Sequence, residues 1–452
     1  MNIIYILLAL SILLFIFAYY LSGRDILSPS VVMCIMFIIS TMFAIMNIEN
    51  WNIHYALNSV IILAGGMLVF IIAEASIHMM VLQRRFIHDC TNKIDIEPIT
   101  VQVPILLITC IFDLITLAWF YLEIKRIVKG YGYNTAGVGV FGRYRTILTS
   151  LAQRSDSTVP LTGFILNQMI KLLHAMGYVS LYILINNWFA NRKKGTHYIL
   201  HSFILFMHIF SYIMEGSRAN ILQIASAGLI QWYIIWHRKV GWKKILTVRV
   251  IAIGLIGILF GMPIFYKSLS WMGRATNKNL IRYIGFYAGG SIQLFNLYVQ
   301  NDTSTPKVFG EETLGGILKA LNKIGFKIEI RNMNLDMIQL DELSRGNVYT
   351  FFRRPLHDFG MIGMIIFTIL VSWLFAWIYY GKIKYKNNSH TPYWILLYGY
   401  MFYWIVMMSI DQYSHSYLSL TTIVQIGLIF FWYAFVTHFK FKFYNKRIIL
   451  QI

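Results

Sequence analysis

Charged side chains are scarce in this sequence: they make up 13% of its 452 residues, whereas hydrophobic residues make up 58%. A soluble domain of this size carries roughly twice that share of charge. Apolar stretches of about 18–24 residues recur instead, separated by short basic connectors, and each is long enough to cross a bilayer as a helix. The sequence therefore predicts an all-α polytopic membrane protein rather than a soluble protein with a very large apolar core.

Acidic residues are the scarcer charged type, with 19 Asp and Glu against 39 Lys and Arg, which gives a formal net charge of +20. A strong positive charge can indicate nucleic-acid binding. Here the basic residues collect in the short connectors, as they do in the cytoplasmic loops of membrane proteins. We therefore expect no nucleic-acid partner.

Cysteine is nearly absent, and so are the common cofactor motifs. Cys34 and Cys110 lie in apolar stretches and Cys90 lies in a basic connector, so no disulfide framework is expected. No Walker motif or metal-ligand spacing occurs, and we expect neither a metal nor another cofactor. Gly137–Gly142 spells the dinucleotide-binding pattern without the strand and helix that this pattern needs, so we interpret it as flexible loop glycines.

About eleven membrane spans, in a range of ten to twelve, are predicted from the apolar stretches. They are Ile3–Ser22, Ser28–Ile48, Leu57–Met80, Val101–Leu122, Leu161–Asn187, His197–Met214, Ala219–Trp236, Ile245–Lys267, Gly360–Lys382, Tyr393–Ile410 and Ser419–Phe439. Basic clusters fall at alternate ends of these spans: Arg84/Arg85, Arg192/Lys193/Lys194, Arg238/Lys239/Lys243/Lys244, Lys382/Lys384/Lys386 and Lys440/Lys442/Lys446/Arg447. The positive-inside rule places all of these clusters in the cytoplasm and the amino terminus outside.

Two outer connectors, 123–160 and 268–359, are much longer than the rest. They divide the chain into spans one to eight over 1–267, a large outer loop over 268–359, and spans nine to eleven over 360–452. Within the large loop, Ile281–Val299 predicts a helix that lies on the membrane face or dips into it, and Leu314–Ile324 predicts another short helix. We expect this loop, which mixes aromatic, glycine and charged residues, to hold the active site.

Charged residues inside membrane spans are costly and are therefore candidates for function. Asp113 lies near the middle of the fourth span, while Lys171 and His174 share one face of the fifth. Asp113 and Lys171 are at similar predicted depth. They either pair and hold two helices in register or line a water-filled cavity below the active site, and both interpretations stay open.

A short outer turn, Glu215–Asn220, is the first cluster with candidate chemistry. It places Arg218 at the amino-terminal end of a helix, where the helix dipole and unpaired N–H groups also favour an anion. A guanidinium at this position can bind phosphate in a bidentate manner. The alternative is an arginine that anchors the helix at the lipid headgroups.

The second cluster, Asn347–Gly360, ends the large loop and enters the ninth span. Arg353 and Arg354 supply positive potential, while His357 and Asp358 offer a base within reach of it. A basic pair before a membrane helix is often only an interfacial anchor, so that alternative applies here as well.

At these two clusters the chain resembles the Wzy-type O-antigen polymerases, the oligosaccharide repeat unit polymerases of the bacterial inner membrane. The resemblance rests on Gly216-Ser217-Arg218-Ala219-Asn220 and on Asn347-Val348-Tyr349-Thr350 with Arg353, Pro355, Asp358-Phe359-Gly360 and Gly363. The long outer loop before the second cluster fits as well. The chain departs from the family at Leu356 and His357, where aromatic residues are frequent, and Arg354 is an additional charge.

The resemblance implies a metal-independent glycosyltransferase of lipopolysaccharide biosynthesis, acting at the periplasmic face. The growing glycan would pass from undecaprenyl pyrophosphate to a hydroxyl of the next undecaprenyl-pyrophosphate-linked repeat unit. Membrane lipids and a polysaccharide chain-length regulator are the other partners to expect. On this hypothesis the catalytic candidates are Arg218, Arg353, Asp358 and His357, and the substrate-binding candidates are Glu215, Arg282, Asn347, Tyr349 and Arg354.

Two alternatives stay open. An O-antigen ligase, which transfers finished glycan to a lipid core, would have similar architecture. A lipid-linked oligosaccharide flippase or another transporter is favoured by Asp113, Lys171 and His174, because transporters place charge at the midplane of the membrane. The long outer loop counts against a transporter.

Overall fold

The computed structural model describes residues 2–83, 93–135, 139–152, 162–191, 195–244, 266–267, 280–301, 305–329, 335, 337–342, 344–386, 388–438, 440–444 and 447–451. Most of these residues are helical, and seven of the described helices are long and apolar enough to cross a membrane. The expected helical membrane class is therefore confirmed, while the count of eleven spans stays a prediction. The predicted eighth span (245–267, apart from 266–267) and the basic clusters at 84–85 and 192–194 lie outside the described residues.

The helices follow the apolar stretches closely. In chain order they are α1 Ile4–Leu21, α2 Pro29–Ile45, α3 Leu57–Gln83, α4 Val103–Gly130, α5 Gly139–Ala152, α6 Phe164–Phe189, α7 Thr196–Met214, α8 Arg218–Val240, α9 Leu280–Asn301, α10 Gly315–Lys323, α11 Arg353–Ala376, α12 Thr391–Val406, α13 Ser414–Tyr417 and α14 Leu420–His438. α11 continues as a π-helix, Trp377–Lys384. Proline in the first turn of α2 and of α4 marks where each begins, because its missing N–H would have no partner there.

Two antiparallel hairpins complete the described secondary structure. Strands β1 (Ile338–Asp341) and β2 (Ser344–Gly346) pair Ile338 with Gly346 and Gln339 with Arg345, with an irregularity before the turn. Strands β3 (Lys440–Tyr444) and β4 (Arg447–Gln451) pair regularly near the carboxyl terminus.

The chain forms two compact units. Unit 1 comprises Met1–Cys90, Asn277–Asn388 and Met401–Thr422, so it holds α1–α3, α9–α11, the π-helix and α13. Unit 2 comprises Thr91–Thr276, Ser389–Tyr400 and Ile423–Ile452, so it holds α4–α8. Each unit draws its residues from three separate stretches of the sequence.

In unit 1, α9 packs against α2 and is part of the core. Its residues Ile292, Leu294 and Phe295 are fully buried. Gly289 permits the close approach, since a Cβ there would lie 2.5 Å from the backbone nitrogen of Ala44. The predicted helix over 281–299 is therefore confirmed and its apolar side packs on α2, while its position on the membrane face or dipping into the membrane stays a prediction.

The helix that ends the large loop begins earlier than predicted. Residues from Arg353 onward are already helical, and Gly360 (φ 65°, ψ −170°) separates this first segment from the apolar part of α11. Only glycine adopts that backbone conformation readily. The predicted start at Gly360 is thus a break inside a helix, and Arg353 and His357 lie one turn apart on the same side.

In unit 2, the amphipathic helix α5 covers one end of the bundle. Its buried side is part of a core with α4, α6 and α7, formed by Leu117, Phe120, Ile124, Ile127, Val128, Val140, Phe141, Tyr144, Ile147, Leu166, Ile170, Leu173, Met207 and Met214. The predicted loop at 123–160 is therefore largely helical: α4 continues to Gly130, and Gly139 and Gly142 belong to α5. The interpretation of these two glycines as flexible loop residues is therefore wrong, because both belong to a helix whose apolar face packs on the bundle. Gly137 lies outside the described residues.

Candidate functional site

Arg353 is the centre of a buried charged cluster in unit 1. It is 6% exposed, and its Nη1 donates a hydrogen bond to Oε2 of Glu312. Its guanidinium carbon lies 4.7 Å from the ring centre of Tyr298 and 5.3 Å from that of Tyr349. A carboxylate and two aromatic faces therefore surround this cation, an arrangement that offsets the cost of burying it.

Arg354 pairs with a second carboxylate that the sequence argument did not single out. Its Nε lies 3.6 Å from Oδ1 of Asp411, and Arg354 is 3% exposed. Burial raises the pKa of Asp411, whereas the adjacent Arg354 lowers it. Backbone hydrogen bonds from Thr350 N to Ile410 O (3.0 Å) and from Phe351 N to Met408 O (2.8 Å) hold the two segments together.

His357 and Asp358 form a buried dyad beside the arginines. His357 Nδ1 lies 3.2 Å from Oδ1 of Asp358, which makes Nδ1–H the donor when the imidazole is neutral. His357 Nε2 is then a lone-pair acceptor, and it is buried with no hydrogen-bond partner among the described residues. A carboxylate that orients an imidazole in this way is the arrangement of a general base.

Asp358 also anchors the large loop. Its Oδ2 accepts hydrogen bonds from the backbone nitrogens of Glu312 (3.1 Å) and Thr313 (2.6 Å). Thr313 O in turn accepts a hydrogen bond from the Ser414 hydroxyl at 2.5 Å. The carboxylate of Asp358 is therefore already engaged by backbone donors and by His357. This geometry fits a residue that positions His357 and the Glu312 segment, not one that removes a substrate proton itself.

Glu311 and Glu312 also belong to the cluster, and each is only 1% exposed. The sequence alone did not indicate either of them as a site residue. They precede Arg353 by about forty residues, so spacing along the chain gives no hint of the contact. The one sequence feature that could have indicated them is that two acidic residues stand side by side in a chain with few acidic residues. One ligand atom each from Glu311, Glu312 and His357 lies within 4.8 Å of the others, so these side chains have the spacing to hold a metal ion.

His415 closes another side of the cluster. Burial, with a further contribution from Arg354, lowers the pKa of His415 to about 3. It is therefore neutral over the physiological pH range. The carbonyl oxygen of His415 faces α10 where Gly316 leaves room for it.

The remaining predicted residues of unit 1 lie at different positions. Tyr349 is 4% exposed and stacks near Arg353, as described above. Arg282 is 41% exposed, and its Nη2 lies 3.3 Å from Oδ1 of Asp341. Asp341 also accepts a hydrogen bond from Trp51 Nε1 at 3.0 Å. Asn347 follows β2 and is partly exposed. Arg282 thus belongs to an ion pair on the β1–β2 hairpin, not to the buried cluster.

In unit 2, the turn before Arg218 is supported by α5. Gly216 has φ +64°, and a Cβ there would lie 2.8 Å from Cδ of Arg145, so Arg145 lies directly over the turn. Burial raises the pKa of Glu215 to about 7, opposed by a hydrogen bond from Asn220 and by the charge of Arg145. Arg218 is the first residue of α8 and is partly exposed. The turn therefore brings Glu215, Arg145 and Arg218 into one neighbourhood.

Of the two interpretations of Asp113 and Lys171, the ion pair is wrong. Among the described residues, neither oxygen of Asp113 has a hydrogen-bond partner. The core shared by Leu117–Val128 of α4 and Leu166–Leu173 of α6 shows the reason. Ile170 and Leu173, on either side of Lys171, share this core with residues of α4 that follow Asp113 by one turn or more.

The fold thus brings together five of the nine predicted site residues: Tyr349, Arg353, Arg354, His357 and Asp358. Glu215 and Arg218 share the turn of unit 2, whereas Arg282 and Asn347 form no hydrogen bond or ion pair with either group among the described residues. Compared with known proteins, the chain matches no family model, no curated protein and no solved structure.

Proposed function

We propose that this protein is a Wzy-type O-antigen polymerase, acting in the bacterial inner membrane with its charged cluster at the periplasmic face. The observation that supports this most is the grouping of two buried arginines with the His357–Asp358 dyad. A glycosyl pyrophosphate already contains a good leaving group. The protein must therefore align two lipid-linked substrates, stabilise the departing charge and accept one proton.

The residues divide these tasks as follows. His357 Nε2 accepts the proton of the acceptor hydroxyl as the new glycosidic bond forms. The bond between the growing glycan and its carrier breaks, and the pyrophosphate leaves with the electron pair. Asp358 positions the imidazole and stabilises the imidazolium that results. Atoms and charge balance without a metal ion or another cofactor.

The arginines supply the charge that the leaving group needs. Arg353 and Arg354 each pair with a carboxylate, Glu312 and Asp411 respectively. We propose that substrate pyrophosphate takes the place of one carboxylate, since guanidinium groups bind both anions with the same fork of donors. Arg218, at the beginning of α8 in unit 2, stays a separate candidate for binding a phosphate group.

Two other functions fit particular observations. A ligase would use the same cluster, because the donor and the leaving group are the same. A flippase or another transporter is favoured by the buried Asp113, which the polymerase chemistry does not use.

Lipopolysaccharide gels of a deletion strain test the proposal. We expect cores that carry a single repeat unit, restored to full ladders by the wild-type gene. Unsubstituted cores would instead indicate a ligase or a flippase. Arg353→Ala, His357→Ala and Arg218→Ala should reproduce the single-unit pattern, since removal of a general base or a charge-stabilising donor lowers rates by about 10²–10⁴.

Arg126→Ala is the matched control, because Arg126 is 74% exposed and, among the described residues, pairs only with the nearby Glu123. This variant should give wild-type ladders at equal membrane abundance. If Arg353→Ala and His357→Ala also give full-length ladders, the buried cluster is not the site of polymerisation.

A further inference from the structure

Asp113, in the middle of α4, is a buried carboxyl group that the proposed chemistry leaves unused. It is 0% exposed, and neither of its oxygens has a hydrogen-bond partner among the described residues. The hydroxyls of Thr109 and Thr116 on the same helix do not serve it. They donate to the backbone oxygens of Ile105 and Phe112, each at 2.8 Å.

The described helices packed against α4 supply no counter-ion to Asp113. Their titratable side chains are Arg143, Tyr144 and Arg145 on α5, Lys171, His174, Tyr178 and Tyr182 on α6, and His197, Tyr198, His201, His208 and Tyr212 on α7; on α4 itself Cys110 is the nearest in sequence. None of them forms an ion pair with Asp113 in the part of the chain that the structure describes. An ionised carboxylate without a counter-charge is far costlier in such a place than a neutral carboxylic acid, so the neutral, proton-carrying form fits this geometry.

A second unpartnered group lies further along the same bundle. His208 is 0% exposed, and neither ring nitrogen has a hydrogen-bond partner among the described residues. Gly177 provides its space, since a Cβ there would lie 2.5 Å from Cβ of His208. Met207, the residue before it, shares a core with Leu117–Val128, so His208 is level with the part of α4 just beyond Asp113.

Polar groups continue from His208 to the end of α7. The ring centres of His208 and His174 are 5.0 Å apart. His174 Nε2 lies 2.9 Å from the Ser211 hydroxyl, and Ser211 is one turn before Glu215. Groups that can accept and donate protons therefore follow one another from the level of α4 just beyond Asp113 to the Glu215 turn.

We propose that Asp113 is a proton-binding site within the membrane and that His208, His174 and Ser211 relay its proton to and from the Glu215 end of the bundle. Neither Asp113 nor His208 has a hydrogen-bond partner among the described residues, so water must carry the proton between them. The O–H bond of the Asp113 carboxyl breaks as a water oxygen takes the proton, that water gives a proton to a ring nitrogen of His208, and the imidazolium passes its proton onward in the same way. No redox change and no glycan substrate are involved. The site is therefore independent of the proposed polymerase function.

Labelling with a hydrophobic carbodiimide tests the proton site on the intact protein in membranes. A protonated carboxyl adds across the N=C bond of the reagent, and the adduct is located by peptide mass spectrometry. Glu74 is the matched control: it is also buried in a membrane helix, but its oxygens accept hydrogen bonds from Tyr380 Oη (2.8 Å) and Ser30 N (2.6 Å). We expect labelling of Asp113 at least about tenfold above that of Glu74, and we expect it to fall as the pH is raised, because the reagent adds only to the protonated carboxyl.

Two results would overturn the proton site. One is absence of an Asp113 adduct in the folded protein when the unfolded protein is labelled at both positions. The other is labelling of Asp113 that is the same at every pH, which would show a proton that does not exchange. Asp113→Asn should abolish the adduct and Asp113→Glu should retain it.

The relay is tested in right-side-out membrane vesicles in which only the external pH is changed. Labelling of Asp113 should follow the external pH in the wild type and respond at least about tenfold more slowly in His208→Leu, which cannot accept a proton. An equal response in both proteins would remove His208 from the relay. Equal labelling of Glu74 in the two proteins confirms that the variant is folded.

Discussion

At the scale of single residues, the buried cluster depends on charges that compensate one another. Arg353 and Glu312 have side chains 8% and 1% exposed, so neither charge is solvated by bulk water. Removal of one partner of such a pair leaves the other charge buried and alone, which typically costs about 3–5 kcal/mol. Exposed pairs contribute less than about 1 kcal/mol.

Glu312→Gln should therefore lower the free energy of unfolding by about 3–5 kcal/mol, measured by denaturant or thermal unfolding in detergent. Glu329→Gln is the matched control, because Glu329 is 80% exposed where it pairs with Lys307. The double variant Glu312→Gln with Arg353→Met should recover most of the loss, since it removes both buried charges. Equal stability of the Glu312 and Glu329 variants would show that Arg353 is compensated by other groups.

At the scale of elements, two adjacent glycines in α3 have opposite surroundings. A Cβ on Gly66 would lie 2.7 Å from Cζ and 2.8 Å from Cδ1 of Phe352, whereas a Cβ on Gly65 would meet nothing within 4 Å. Gly66 therefore lets the Phe352 ring pack directly on the α3 backbone. Phe352 immediately precedes Arg353, so this contact also sets the position of the arginine cluster.

Gly66→Ala should destabilise the protein by about 1–3 kcal/mol, because an added methyl group in a packed core forces the ring or the backbone to move. It should also reduce polymer length in the lipopolysaccharide assay. Gly65→Ala should be neutral or slightly stabilising, since alanine is the better helix former by about 1 kcal/mol. Equal melting temperatures of the two variants would mean that Phe352 relocates without cost.

The helices could be predicted from the sequence because each long apolar stretch must satisfy its own backbone hydrogen bonds in lipid. Local patterns also located Arg353, His357 and Asp358. The contacts that complete the cluster were beyond local patterns: Glu312 and Asp411 meet the arginines only through the fold. The packing of α9 on α2 was equally beyond local patterns, because it depends on the close approach at Gly289. The Asp113–Lys171 ion pair was predicted from the ends of the two spans, which were taken to place both residues at the same depth in the membrane.

At the scale of the whole molecule, unit 1 builds its cluster from three distant segments. Glu312 belongs to the large loop, Arg353 begins α11, and Asp411 follows α12. The proposed function requires all three to lie on the periplasmic side. The opposite end of the α11 segment, with Lys382 and Lys384, must then lie in the cytoplasm. Orientation is thus the property on which the proposed chemistry depends most.

Cysteine accessibility measures that orientation directly. In a background with Cys34, Cys90 and Cys110 replaced by serine, single cysteines are introduced as Lys129→Cys near the end of α4 and as His390→Cys before α12; both native side chains are exposed. An impermeant maleimide added to intact spheroplasts should label Lys129→Cys at once and His390→Cys only after permeabilisation, because the positive-inside rule predicts that the basic clusters lie in the cytoplasm. The reverse pattern would place Arg353 and His357 in the cytoplasm, away from flipped lipid-linked glycans. A polymerase at the periplasmic face would then be excluded, whereas the Asp113 proton site would keep its place within the membrane.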